Sequence, residues 1–137
     1  MKISNKAQIG ADFPDDTVWV DDEIVLWGGK NVTVAIGEIL TRLGAEVSEP
    51  ILEDNGWALN ISYKGRNPWC LIHDGGEGFI YFYMDDRWGA RGDMAAYVEL
   101  IVQLNAELHR DPRFDDIRWY DSSDQDFDGP ASSSPVT

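Results

Sequence analysis

Cysteine occurs once in these 137 residues, at Cys70. An intramolecular disulfide is therefore impossible and a cluster of thiolate ligands is excluded, so a reducing, cytoplasmic setting is the expectation. Positive charge is also scarce. Eleven Lys and Arg stand against 25 Asp and Glu, a formal charge of −14. A balance of that sign repels phosphate backbones and anionic lipid, so neither nucleic acid nor a membrane surface is expected as a partner. No run of apolar residues is long enough to cross a bilayer, and "MKISNKAQIGADFPDD" has none of the apolar core of a leader peptide. The chain also lacks a glycine-rich dinucleotide fingerprint, a phosphate-binding loop and paired histidines at metal-ligand spacing. No cofactor and no metal site is expected.

What remains has the composition of a folded chain, 43% hydrophobic and 12% aromatic. The length fits one domain, large enough to hold a core without staples. From Asp121 onward, "DSSDQDFDGPASSSPVT" offers almost nothing to bury. The expected organisation is one domain over 1–120 and a disordered acidic tail over 121–137. The first dozen residues are weakly patterned.

Two stretches carry helical periodicity. Val32, Ala35, Ile36, Ile39, Leu40 and Leu43 recur at three- and four-residue spacing, with Asn31 as candidate N-cap and Gly44 just past the end. Met94, Tyr97, Val98, Ile101, Leu104, Asn105 and Leu108 form a second stripe, with Asp93 as candidate cap and Pro112 beyond it. Between and around them lie short extended runs. "TVWV" and "EIVLW" suit a hairpin turning at Asp21 and Asp22. "EVSEPIL" is extended, with Pro50 limiting it to an edge or bend. "WALNISY", "WCLIH" and "FIYFYM" follow one another through the turn signals "KGRNP" and "DGGEG", and "FDDIRWY" supplies a last strand. The fold class expected is α+β, an antiparallel meander packed with two amphipathic helices in the order β-β-α-β-β-β-β-α-β.

Strand alternation then decides how the most conspicuous segment, "FIYFYMDD", is read. Asp85 and Asp86 leave opposite faces of a regular strand, so they do not form a shared metal or catalytic dyad; Arg87 and Arg91 are nearby cations. Ile80, Phe82 and Met84 make a core face. Tyr81 and Tyr83 share the other face with Asn60 and Ser62 of the earlier alternating strand, ending at Asp85. An antiparallel sheet covered on one side exposes such a face, and tyrosine is a stiff contact residue with a polar tip. Tyr81, Tyr83, Asn60, Ser62, Asp85 and the loop residue Trp88 are the candidate binding residues. Trp57, Trp69 and Trp119 are assigned to the core. No catalytic set emerges: His109 suits a helix C-terminus electrostatically, and Cys70 and His73 face apart.

The stretches "GWALNISYKGRNPW" and "DPRFDDIRWYD" resemble small uncharacterised bacterial proteins that join a helix, a meander and a second helix. An acidic, aromatic-rich α+β domain of this size is also similar to toxin-immunity proteins and, more distantly, to secretion chaperones, which differ in beginning with a helix. The net charge, the tyrosine-bearing strand face and the absence of a reaction motif lead to the expectation of a non-enzymatic protein-binding domain, an inhibitor or immunity-type factor, engaging a basic protein. The alternatives are a small enzyme using carboxylates near Asp85 and Asp86, a chaperone-like adaptor, or a homo-oligomer using the same sheet face.

Overall fold

A computed structural model describes residues 2–86, 94–121, 127 and 129–137. The elements are β1 (Lys6–Ala11), β2 (Val18–Val20), β3 (Glu23–Leu26), α1 (Lys30–Arg42), β4 (Glu46–Val47), β5 (Ile51–Glu53) and β6 (Gly56–Ser62). They continue with β7 (Pro68–Asp74), β8 (Phe79–Asp86), α2 (Ala95–Arg110), β9 (Phe114–Tyr120) and β10 (Ala131–Ser132). The α+β class and the antiparallel meander hold. One sheet runs in the order β10-β9-β1-β8-β7-β6-β4, with β5 also paired to β6, and β2 and β3 form a separate two-stranded ribbon.

Strand β1 was not expected. It lies in the middle of the sheet, Ile9 beside Ile80 of β8 and Ala7 beside both Phe82 of β8 and Trp119 of β9. Its inward side chains are only Ala7 and Ile9, both fully buried. At Gly10 a Cβ would stand 1.9 Å from the Asp115 carboxylate and 3.0 Å from the Asp115 carbonyl oxygen, so a larger residue there would make the Asp115 side chain turn away.

Both helices pack on one face of the sheet. Ile36, Ile39 and Leu40 of α1 and Leu100, Ile101, Leu104 and Leu108 of α2 join Leu59, Ile61, Cys70, Ile72, Phe82, Met84 and Trp119 in one core. The stripe residue Asn105 is explained by Trp119, whose Nε1–H donates to its side-chain oxygen at 2.8 Å. The buried Tyr97 hydroxyl donates to the Met84 carbonyl at 2.8 Å, satisfying a polar tip that burial would otherwise penalise.

The start of α1 is capped differently from expectation. Gly29 occupies the cap position at φ 103, and Asn31 already lies in the first turn. The Asp16 carboxylate does the capping from a distant loop, accepting from the backbone N–H groups of Gly29 and Asn31 at 2.8 Å each. A carboxylate there satisfies two orphan donors and meets the positive end of the helix dipole. Gly44 follows the helix at φ 101, as a C′ glycine should. Asp93 lies outside the described residues.

The expectation of a disordered stretch from Asp121 needs correction for the residues described there. Ala131 and Ser132 pair with Tyr120 and Trp119. Ser4 N–H donates to the Pro135 carbonyl at 2.7 Å, and Lys2 and Thr137 exchange backbone hydrogen bonds at 2.8 and 2.9 Å. The stretch has few side chains to bury, but its backbone satisfies an edge that β9 would otherwise leave unpaired. Composition reports the first property and is blind to the second.

Candidate functional site

With both helices on one side, the second face of the sheet carries Tyr81, Tyr83 and Asp85 of β8, all half-buried. The meander does not set β8 against β6, because β7 lies between them. Across the strands, Asn60 pairs with Trp69 and Trp69 with Asp85; Ala58 pairs with Leu71 and Leu71 with Tyr83; His73 pairs with Tyr81. Beyond β8 the row continues from Tyr83 to Lys6 and from Lys6 to Tyr120. Asn60 therefore shares the face with the tyrosines at one strand's remove. Ser62 lies further out, exposed beside Glu46 of β4. Trp88 lies outside the described residues, as do Arg87 and Arg91.

Trp57 and Trp119 are core, but Trp69 is not. It is half-buried on the face away from the helices, its ring tilted against Tyr83 with centroids 5.4 Å apart. The alternation of β7 makes the reason plain: Cys70 and Ile72 point to the helices, so Trp69, Leu71 and His73 point away. Cys70, fully enclosed, has its thiol pushed up to about 12 by burial, partly opposed by a hydrogen bond from the Leu59 backbone. It is an inert core residue.

The two carboxylates at the end of β8 separate as strand geometry requires. Asp85 stays on the open face, where its Oδ2 accepts from the Tyr83 hydroxyl at 3.0 Å and its Oδ1 from the Asp86 backbone N–H at 2.8 Å. Burial, and then the Asp85 contact, hold the Tyr83 hydroxyl above its ordinary pKa. Asp86 is buried and meets Arg66 Nε at 2.6 Å. That guanidinium comes from the turn before β7, a partner twenty residues away in sequence that local reading missed. Among the described residues, no three His, Cys, Asp or Glu side chains converge as a metal site.

Two concavities mark the open face. One of about 380 Å3 lies over Ile51, Asp54, Ala58, Asn60, Trp69 and Leu71. The other, about 280 Å3, is lined by Lys6, Leu71, His73, Tyr81, Tyr83 and Phe127. Phe127, at φ 55, lays its ring 4.8 Å from that of Tyr81 and 5.4 Å from that of Tyr120, with the Lys6 ammonium 5.6 Å above it. His73 Nε2 is buried with no hydrogen-bond partner among the described residues; a Cβ on Gly56 would stand 3.0 Å from it.

A second surface was not foreseen. The β2–β3 ribbon exposes Val18, Trp19, Val20, Val25 and Trp27. The sequence indicates the hairpin, and its turn residues Asp21 and Asp22 take φ 50 and 66, the left-handed pair a two-residue turn demands. Its failure to pack has no local signature, since a strand in a core and a strand in water share the same alternation.

No helix among the described residues is long and apolar enough to cross a membrane. No family model matches the sequence, and no curated protein and no solved structure matches it.

Proposed function

We infer that the chain is a non-enzymatic protein-binding domain that engages a basic protein through the sheet face away from the helices, as an inhibitor or immunity-type factor would. The observation that carries this reading is the segregation of both helices to one side. It leaves Trp69, Leu71, Tyr81 and Tyr83 half-exposed in adjacent register on the other. Aromatic side chains with polar tips are the residues that anchor interface centres. The net charge of −14 favours a basic counterpart and steers its approach over distances of about a Debye length. The paired tyrosine and carboxylate, Tyr83 and Asp85, suit a cation at the rim of such a contact.

The test is affinity capture from native lysate, identification by mass spectrometry, and calorimetric titration of the purified partner. Tyr81→Ala/Tyr83→Ala is expected to weaken that partner's binding at least about tenfold while leaving the fold intact. The association rate is expected to fall as salt rises. A partner that binds both forms equally, or whose association rate ignores salt, would sink the reading.

A further inference from the structure

We propose that the β2–β3 ribbon is a second recognition element, an arm that takes up an extended segment of a basic protein by strand addition. This rests on the protein-binding reading above but uses a different surface. Three properties of the ribbon converge on it.

The first is exposure. Trp19 is 58% exposed, Val20 51% and Val25 54%. Trp19 and Val20 are neighbours in a strand and so leave opposite faces; among the described residues both faces of the ribbon carry exposed apolar side chains, with Ile24 and Leu26 partly buried. Single apolar residues on a surface need no explanation, but here Val18, Trp19, Val20 and Val25 are each more than 40% exposed within two paired strands.

The second is open hydrogen bonding. Among the described residues, β2 and β3 pair only with each other. Each therefore presents an outer edge of backbone donors and acceptors, the template that strand addition uses. A two-stranded ribbon in water is marginal by itself, and a third strand is what makes such a unit stable.

The third is charge. No Lys, Arg or His occurs between Lys6 and Lys30, while Asp12, Asp15, Asp16, Asp21, Asp22 and Glu23 all fall in that interval. The tip carries three of them in a row. This pattern discriminates between occupants. A second copy of the chain would bring acidic tip against acidic flank, a like-charge contact that costs affinity. A segment alternating cations with apolar side chains would satisfy both the edge and the field.

The arm is also held ready. The Trp57 Nε1–H donates to the Trp27 carbonyl at 2.9 Å, and Asp16, just before β2, is fixed to the start of α1 through Gly29 and Asn31. The two legs of the ribbon are thus bolted to the body at their base, so little ordering remains to oppose binding.

The experiment is amide NMR of the full chain titrated with a short synthetic peptide alternating lysine and valine. Peptides alternating glutamate with valine and lysine with serine serve as controls. Saturable shifts concentrated at residues 17–27, seen with the lysine–valine peptide alone, are the expected result. Trp19→Ser is expected to weaken them at least about tenfold, as is Val20→Thr/Val25→Thr, which keeps strand propensity; body resonances report that each variant stays folded. Shifts gathered around Tyr81 and Tyr83 instead would overturn the arm and leave the sheet-face reading standing. Absence of shifts also overturns it, with the captured partner's titration still judging the sheet face separately. A wild-type dimer that Trp19→Ser dissolves would assign the ribbon to a second copy and likewise overturn the proposal.

Discussion

The two faces of strand β8 are built from the same few residues and meet opposite surroundings. Ile80, Phe82 and Met84 lie under the helices with almost no exposed surface, while Phe79, Tyr81 and Tyr83 alternate with them and stay half-exposed. The inward set is aliphatic or fully apolar. In the outward set the two tyrosines end in hydroxyls, and that of Tyr83 donates to Asp85. One face secures the fold and the other stays outside the helix-covered core, and the alternation of a single strand separates the two.

That division is open to attack by mutation. Phe82→Ala strikes the covered face, where the ring packs edge-on to Trp119 at a centroid distance of 6.0 Å. A loss of about 4 kcal/mol is expected in the free energy of urea unfolding. A loss under about 1 kcal/mol would mean the covered face is not the structural one. Arg66→Ala removes the guanidinium from the buried Asp86 carboxylate and is expected to cost about 2 kcal/mol, the range for a hydrogen bond to a charged group. Stability unchanged in that variant would show that the end of β8 does not depend on the pair.

Tyr83→Phe tests the open face. At pH 7 it is expected to cost no more than about 1 kcal/mol, because the hydroxyl's partner keeps access to water. The pH dependence has a definite sign. The folded chain holds the Tyr83 proton more tightly than the unfolded chain, whose value is near 10. The contribution is therefore present below pH 10 and is lost as pH rises through the raised folded value. Unfolding midpoints of wild type and Tyr83→Phe should converge in that alkaline window, and a gap that widens there would contradict the assignment. Smallest of all is Trp19→Ser on the ribbon, expected within about 0.5 kcal/mol of wild type by the same denaturation measurement. A large loss would mean that the indole packs as part of the core.

The same contrast marks what the sequence discloses. Both helices follow from apolar spacing, and the opposite fates of Asp85 and Asp86 from alternation alone, because these depend on neighbours a few residues away. Placing Tyr81 and Tyr83 on a face away from the helices needed one further fact, that both helices choose the same side. Periodicity shows that a helix has a buried stripe; it does not show which face of the sheet the stripe meets. Strand β1 escaped notice because "KAQIGA" has just two inward residues, one of them alanine, and its partners come from the middle and end of the chain. Trp69 was misassigned because a tryptophan in an apolar strand reads as core until its phase against Cys70 and Ile72 is known. The ion pair of Arg66 with Asp86 and the capping of α1 by Asp16 bridge loops in the same way, and no local pattern encodes them.

The central position of β1 also sets an order of events in time. Strand β1 is flanked by β8 and β9, both made after it, so it has no lateral partner until those strands exist. The β6–β7–β8 meander can form from local turns, but joining it to β9 requires β1 to be inserted between them, with all the loop entropy of distant contacts. Closure of this sheet accordingly waits for β1 to meet strands distant in sequence, and folding is expected to be slower than its short hairpins suggest.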